Sequence, residues 1–236
     1  MPQARVGTSG WSYAEWVGHF YPDGTSPPRM LPFYARRFTT VEAHSTYRRL
    51  PSPAALERWC GQVPPHFHFA PKAHLGITHR RDLDGVENRI GAFFDAVAGL
   101  DSRLGPVLFS VPHQVPDLTR LDHLLAGLPT VSRPPVAFEL GPAWVTSEVI
   151  ARLEAHETTL ALVDADGRAA PDLVVGPFTY VRLRRSRYSR AELDNWADRL
   201  SQATADGRPA YAFFKHDERG DGPRYARRMM ARLSTR

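Results

Sequence analysis

Short apolar segments recur along the chain, and helical patterns separate most of them. Eight such segments are RVGTSGW from Arg5, TTVEAHST from Thr39, HFHFAPKA from His66, PVLFSVP from Pro106, PVAFEL from Pro135, TLALVDA from Thr159, FTYVRL from Phe178 and PAYAFFKHD from Pro209. Strands that alternate with helices are typical of parallel sheets with helical crossovers. Eight of them predict an α/β fold, a single (β/α)8 TIM barrel, with its chemistry at the carboxyl ends of the strands.

The segments between the strands repeat apolar residues every three to four positions, as an amphipathic helix does. The clearest patterns span residues 86–100 and 118–128. Ser52, Asp117 and Ser189 precede helical patterns, and each is a residue type that accepts a hydrogen bond from the first helical turn. We therefore expect a helix after most of the strands.

Two connections differ from this alternation. Residues 11–29 form a long, aromatic and proline-rich stretch, which predicts an ordered loop over one end of the barrel. Between the sixth and seventh strands only residues 166–177 are available, too few for a full crossover helix. A reduced crossover is therefore predicted there. Because no internal repeat or linker is present, residues 1–236 are predicted to form one domain.

The composition is typical of a folded domain that does not enter a membrane. The 236 residues are 42% hydrophobic and 23% charged, which allows a large core and argues against disorder. No apolar stretch approaches the roughly 18 residues that span a bilayer, and the first strand begins too early for a signal peptide. Cys60 is the single cysteine, which excludes an internal disulfide. We expect a soluble, cytoplasmic protein with no membrane partner.

The charge balance favours anionic partners. The net charge is +5 and the sequence pI is about 9.6. A basic protein attracts anions through its overall field, whether these are small molecules or nucleic acids. Arginine greatly outnumbers lysine, a bias that a GC-rich coding sequence also produces. The charge alone therefore does not choose between these partners.

Ionisable residues collect near the carboxyl ends of the predicted strands. Because side chains alternate along a strand, Glu42 and His44 share a face, and so do Arg182 and Arg184. Charged groups at such positions are costly to desolvate, so they either bind a ligand or form salt bridges that close the top of the barrel. The candidate catalytic residues are Glu42, Lys72 and Glu139, and the candidate substrate-binding residues are His44, Asp164, Arg182, Arg184, Lys215 and His216.

The last two loops carry a further signal for anion binding. Arg184, Arg185 and Arg187 follow the seventh strand, and KHDERGDGP leads from the eighth strand into a helix. Barrels of this kind often bind phosphate between these loops, at the N-terminus of a helix whose free N–H groups favour anions. A phosphate group is therefore the predicted feature of the ligand.

A divalent metal is an alternative that the residues leave open. Glu42, His44, Glu139, Asp164 and Asp217 could converge on one ion from several strands. No HExxH spacing is present, and the lysines and arginines at the same end would repel a cation. We therefore predict no cofactor and no metal ligands.

Short sequence motifs, spread in order over nearly the whole chain, resemble those of one family. The matching pieces are GTSGW (Gly7 to Trp11), FYP (Phe20 to Pro22), LPFYARRFTTVE (Leu31 to Glu42), STYRRLPSP (Ser45 to Pro53), the run from Trp59 to Lys72, ITH (Ile77 to His79), FE (Phe138 to Glu139), YVRL (Tyr180 to Leu183) and GPRYA near the end. In these motifs the chain resembles the YecE-like proteins, a family also called domain of unknown function 72. The resemblance implies a TIM barrel and no established reaction. It also carries over two substrate-binding positions, Trp11 and His79.

The sequence departs from this family where the barrel mouth is expected. His44 stands where members usually have asparagine, and Arg184 and Arg185 stand where they have His-Gly. Lys215 and His216 replace a pair of asparagines. These replacements leave open a changed ligand or a lost activity.

The residues favour an enzyme, of hydrolase or lyase type, that acts on an anionic, phosphate-bearing small molecule. Glu42 or Glu139 would be its acid or base, and Lys72 would stabilise charge. One alternative is a non-catalytic barrel that binds nucleic acid or phosphate, through the aromatic rings expected to be exposed in residues 11–21 and the arginines of residues 184–190. Another is a metal-dependent phosphodiester hydrolase, an idea that rests on fold analogy and the acidic rim.

Overall fold

The computed structural model describes residues 4–80, 82–112, 114–215 and 219–235. Within them the strands are β1 (Ala4–Thr8), β2 (Thr40–Ala43), β3 (His68–Pro71), β4 (Val107–Ser110), β5 (Val136–Glu139), β6 (Thr159–Leu160), β7 (Leu162–Asp164), β8 (Thr179–Leu183) and β9 (Ala210–Phe214). Each predicted apolar segment contains a strand. The sixth contains two, because the ladder is interrupted at Ala161.

Helices separate most of these strands, as the periodicity predicts. They are α1 (Pro27–Ala35), α2 (Pro53–Cys60), α3 (Leu75–Thr78), α4 (Val86–Ala98), α5 (Leu118–Ala126), α6 (Ser147–Ala155), α7 (Arg190–Ala205) and α8 (Asp221–Leu233). Ser52 and Asp117 each accept a hydrogen bond from the residue three positions later, and Ser189 and Glu192 form a reciprocal capping box. The caps therefore begin the helices where the sequence places them.

All strand ladders are parallel, which confirms the predicted α/β class. The strands form three sheets, in the orders β1-β9-β8-β7, β2-β3 and β4-β5-β6. Single parallel bridges connect neighbouring sheets. Ser9 pairs with Glu42 between β1 and β2, and Lys72 pairs with Leu108 between β3 and β4. The sheets therefore lie side by side, with their carboxyl ends at a common edge.

The strand register determines which side chains face one another at this edge. An apolar cluster, called the inner cluster, is made by alternate residues of the strands: Ala70, Leu108, Ala137, Ala161, Phe178, Tyr180, Tyr211 and Phe213. Side chains alternate along each strand, so Lys72, Glu139 and Arg182 lie on the same face as the inner cluster, two residues further on. The larger core packs the opposite face of the strands against the helices. Polar side chains thus follow apolar ones toward the carboxyl ends.

Two connections show how loops replace helices around the sheets. Residues 165–178, all of them described, contain no helix, which agrees with the short crossover predicted there. Residues 11–26 form an ordered loop as expected, but α1 begins at Pro27 instead of after residue 29. Proline is favoured in the first helical turn, where its missing N–H has no intrahelical partner to lose. Among the described residues, no helix is long and apolar enough to cross a membrane.

Candidate active site

A buried ion-pair network lies where β2, β5 and β8 end. Arg182 donates two hydrogen bonds to the Glu42 carboxylate, from Nη2 at 2.7 Å and from Nε at 2.9 Å. Its remaining terminal nitrogen, Nη1, donates to Glu139 Oε2. Only 2% of the Arg182 surface and none of the Glu42 surface is exposed. A guanidinium at this depth is stable because two carboxylates satisfy it with good geometry.

Glu42 has every position around its carboxylate occupied. Besides the two bonds from Arg182, Oε1 accepts from the Ser9 hydroxyl at 2.8 Å and Oε2 accepts from the Tyr180 hydroxyl at 2.9 Å. Burial opposes ionisation of Glu42, but the charge and hydrogen bonds of Arg182 outweigh it and lower the pKa to about 2. A carboxylate that is saturated and always ionised does not exchange protons near neutral pH. Its geometry is that of a residue that positions Arg182.

Glu139 differs from Glu42 because it reaches solvent. Its side chain is 17% exposed, and only Oε2 is engaged with Arg182. The other oxygen, Oε1, accepts no hydrogen bond from any described residue. Burial raises the pKa of Glu139, but Arg182 and Lys72 lower it by more, so the net shift is downward. Glu139 is therefore the carboxylate of the network that a bound molecule can contact.

Lys72 is a nearly buried cation that lacks a counter-ion. The residue is 8% exposed, and its Nζ lies 4.3 Å from the centroid of the Tyr47 ring. Within the described part of the chain, the ammonium makes no hydrogen bond and no salt bridge. Burial and the nearby Arg182 both lower the pKa of Lys72. A cation–π contact offsets only part of the cost of desolvating an ammonium, so a ligand is expected beside it.

Tyr47 is held in place under Lys72 by two histidines. Its hydroxyl lies 2.9 Å from His79 Nε2, and the two rings meet edge to face. On the other side the ring of His44 stacks on Tyr47, with centroids 5.8 Å apart. Burial lowers the pKa of His44, which favours its neutral form in this stack. The predicted binding residues His44 and His79 therefore reach the site through Tyr47.

Sequence reasoning missed Tyr47. The residue lies in the motif STYRRLPSP, but it follows β2 in a short 3-10 helix at His44–Tyr47. Strand alternation selects residues by their spacing along a strand, so it gave no reason to choose a side chain in this turn. The family motif was the only available signal.

Arg184 is a second cation without a partner. It follows β8, two residues after Arg182, and is half-buried. Its guanidinium has no hydrogen bond or ion pair with the residues that the structure describes. Burial and the like charge of Arg182 lower the pKa of Arg184. Two carboxylates and three cations thus meet here, and the excess positive charge lies on Lys72 and Arg184.

The structure does not bring Asp164 into this network. Its carboxylate accepts hydrogen bonds from Arg185 Nε at 2.8 Å and from Trp196 Nε1 at 3.1 Å, on the side that faces α7. The reason is register, since Val163, and not Asp164, pairs with Arg182. The side chain therefore alternates to the outer face of the strand.

The remaining predicted residues lie at the rim or outside the described residues. Trp11 packs edge to face on Trp59 at 5.1 Å and, with His44, lines a cavity of about 250 Å³. Lys215 follows β9, and its side chain makes no hydrogen bond or salt bridge with described residues. His216 and Asp217 lie outside the described residues.

The aromatic loop after β1 is packed, whereas the nucleic-acid alternative requires its rings to be exposed. Trp16 and Tyr21 are fully buried, and Phe20 packs edge to face on Phe33 with the ring centroids 5.5 Å apart. Burial of the rings stabilises the loop against α1. They are therefore not a surface on which bases could stack.

An arginine-lined cavity lies at the start of α8, beside the loop after β1. Its volume is about 580 Å³, and it is lined by Gly18, His19, Phe20, Arg219, Gly220, Arg224, Arg227 and Arg228. Arg185, which we placed in a phosphate site, instead pairs with Asp164 and Glu192. The arginines that line this cavity therefore belong to α8 and the turn before it, and not to the loop after β8.

A metal site does not form from the predicted ligands that the structure places. Glu42 and Glu139 both pair with Arg182, and the Asp164 side chain points away from them. In the described ranges no group of three or more His, Cys, Asp or Glu side chains is arranged to hold a metal ion.

A family model and two curated relatives match this chain. A family model described as "Protein of unknown function DUF72" matches residues 5–236. The chain is 29% identical over 126 residues to the UPF0759 protein YecE of Escherichia coli (strain K12). The aligned region covers 52% of this chain and 44% of YecE. That match thus spans less than half of YecE. Over 270 aligned residues it is 23% identical to the UPF0759 protein YunF of Bacillus subtilis (strain 168), covering 97% and 94% of the two chains.

Solved structures of similar shape carry the same family description. A DUF72 family protein from Enterococcus faecalis V583 superposes with a TM-score of 0.82 at 18% identity, over 98% of this chain and 96% of that one. A DUF72 family protein from Thermotoga maritima MSB8 gives a TM-score of 0.74 at 20% identity, over 98% and 99%. At these identities the likeness shows a shared fold alone.

Replacing Glu42 tests the buried network. The folded pKa of Glu42 is lowered from 4.5 to about 2, so its contribution to stability is complete above the higher value and is lost as the pH falls toward the lower one. We expect Glu42→Gln to lower the free energy of unfolding by about 3–5 kcal/mol near neutral pH, because it leaves Arg182 partly unpaired. The variant should also lose less stability than the wild type on acidification. Urea unfolding at several pH values measures both effects.

The matched control is Glu148→Gln, which removes an exposed carboxylate paired with Arg152 on α6. Exposed pairs contribute little, so this change should cost no more than about 1 kcal/mol. Equal stability of the two variants would contradict the account of Glu42.

Proposed function

The chain belongs to the DUF72 family of proteins of unknown function, and we propose that it is an enzyme that acts on a small anionic, phosphate-bearing molecule. The single observation that supports this is a pair of cations, Lys72 and Arg184, that have no ion-pair partner in the described part of the chain and lie beside the network of Arg182. An anion with several oxygens suits two such donors, because each is otherwise desolvated without compensation. A metal cation would meet the excess positive charge and be repelled.

Three roles follow from the exposure of the side chains. Lys72 and Arg184 bind the anionic group, since neither forms an ion pair with a residue that the structure describes. Glu139 accepts or donates the proton of the reaction, since its Oε1 accepts no hydrogen bond from a described residue and its side chain reaches solvent. Glu42 positions Arg182, which in turn keeps Glu139 at the mouth. The reacting bond of the substrate would lie between Glu139 and the two free cations.

We propose further that the three sheets are parts of one closed (β/α)8 barrel. Main-chain hydrogen bonds between the sheets support it: Gly10 N donates to Glu42 O at 2.8 Å, and Ala73 N donates to Leu108 O at 2.8 Å. Ala161 N donates to Phe138 O at 2.8 Å, so β6 and β7 continue each other as one interrupted strand. The mouth of such a barrel is where enzymes of this architecture carry their active sites.

A second candidate function, nucleic-acid binding, has support from the arginine-lined cavity at the start of α8. Arg227 is exposed and has no hydrogen bond or ion pair among described residues, whereas Arg224 and Arg228 are paired with aspartates. Exposed arginines in a groove suit a phosphate backbone. The buried aromatic loop removes the stacking surface, so this binding would be electrostatic and independent of sequence.

A panel of phosphate esters and sugar phosphates tests the enzymatic proposal. We expect Arg184→Gln and Lys72→Met each to weaken binding about tenfold or more, because hydrogen bonds to charged groups contribute about 1.5–3 kcal/mol. Glu139→Gln should retain binding and lose turnover. Arg187→Gln, which removes an exposed arginine from the same loop, is the control and should behave as the wild type. Binding and turnover that are indifferent to all of these substitutions would exclude this site.

Hydrogen exchange tests the closed barrel. The amides of Gly10 and Ala73 join neighbouring sheets, so in a closed barrel they should exchange only through global unfolding, at the rate of the Phe213 amide inside β9. Exchange of Gly10 or Ala73 through local opening, much faster than Phe213, would show that the sheets are separate.

Salt dependence tests the second candidate. If single-stranded DNA binds at the α8 cavity, Arg227→Gln should reduce the slope of log K against log salt by about one, the effect of one phosphate contact. Arg208→Gln removes an exposed arginine just before β9 and should leave the slope unchanged. An absence of binding at low salt would eliminate this function.

A further inference from the structure

The use of lysine in this chain is selective. Lys72 and Lys215 are the only lysines among 30 lysine and arginine residues. Both follow the carboxyl ends of strands, β3 and β9. Arginine binds carboxylates and phosphates at least as well as lysine, because its planar guanidinium donates two parallel hydrogen bonds. An anion clamp alone would therefore not require lysine at position 72. A guanidinium cannot do what an amine can do, which is to lose a proton and attack carbon.

The surroundings of Lys72 ease the loss of a proton from its ammonium group. The side chain is almost fully buried, lies on the face of the Tyr47 ring, and has no carboxylate within ion-pair distance among described residues. Burial and the charges of Arg182 and Arg184 lower the pKa of Lys72, and together they outweigh the opposite effect of Glu139 and Glu42. Desolvation and neighbouring cations are the two devices by which proteins activate a lysine.

We propose that Lys72 is a nucleophile that forms an imine with an aldehyde or ketone group of the anionic substrate. This inference rests on the proposed anion-binding role of the same site. It narrows the substrate to a carbonyl compound that also carries a phosphate or a carboxylate group. Arg184 holds the anionic group, while Lys72 reaches the carbonyl carbon.

The step balances with the groups at the site. The neutral Lys72 amine attacks the carbonyl carbon and forms a C–N bond, and the carbonyl oxygen takes up a proton from the nitrogen to give a carbinolamine. The hydroxyl then takes a second proton, the one released when the ammonium became an amine, and leaves as water. The product is a protonated imine. Glu139 carries these protons, because its Oε1 is free and its Oε2 is fixed by Arg182.

Reductive trapping tests the proposal. The full chain is incubated with glyoxylate, pyruvate or dihydroxyacetone phosphate, reduced with borohydride, digested and mapped by mass spectrometry. We expect an adduct on Lys72 at least about tenfold faster than on Lys215, because burial and neighbouring cations activate the Lys72 amine. Lys215 is thus a comparison within the same molecule, and the α-amino group is assigned separately in the digest. Lys72→Arg, which keeps the charge, should abolish this adduct while retaining the melting temperature.

A second variant separates the imine from the anion site. Arg184→Gln should slow trapping of the three anionic carbonyl compounds much more than trapping of a neutral aldehyde at Lys72, because only the anionic compounds lose a direct contact with Arg184. In one outcome, inorganic phosphate raises the melting temperature of the wild type and not of Arg184→Gln, yet Lys72 is trapped no faster than Lys215. This result would refute Lys72 as the nucleophile and support the anion site. If Lys72 is trapped preferentially but phosphate has no effect, the imine stands and the anion site fails.

Discussion

The bidentate pair between Arg182 and Glu42 is the interaction on which the rest of the site depends. A guanidinium that is only 2% exposed must be compensated for the water it has lost. Both oxygens of Glu42 accept hydrogen bonds from it, and Glu139 accepts one from the remaining nitrogen. Both carboxylates are then committed to one arginine. Lys72 and Arg184 are left without counter-ions among the described residues, and this imbalance is the physical basis for the proposed anionic ligand.

The apolar inner cluster explains why these charges must satisfy one another. Below the network, the same faces of the strands carry residues such as Ala70, Tyr180 and Phe213, which exclude water from the interior. Strand register then places the polar residues together at the carboxyl ends. Tyr180 serves both regions, since its ring packs in the cluster and its hydroxyl donates to Glu42. Apolar packing therefore positions the network that leaves two cations free.

Strand alternation predicted most of this site. Glu42, Lys72, Glu139, Arg182 and Arg184 were all selected from their positions at strand ends, and the structure brings them together. Each could be predicted because a period of two is visible in the sequence and the strands are parallel. Alternation could not predict the different roles of the two carboxylates. Only the hydrogen bonds show that both oxygens of Glu42 are fully hydrogen-bonded and that those of Glu139 are not.

The failures have equally specific causes. Asp164 lies one residue out of phase with the inward face, and a shift of one residue moves a side chain to the other side of a sheet. Tyr47 lies in a 3-10 turn, where strand periodicity has no meaning. The nucleic-acid alternative required exposed rings in the loop after β1, yet Trp16 and Tyr21 are buried in the core.

The most direct test of the central claim is a crystal structure grown with an electron-rich oxyanion such as tungstate, located by anomalous scattering. The account predicts an ion within hydrogen-bonding distance of both Lys72 Nζ and the Arg184 guanidinium, with Arg182 still paired to Glu42 and Glu139. A salt bridge between Lys72 and Glu139 with no ion beside it, or an ion bound only among the arginines of α8, would contradict it.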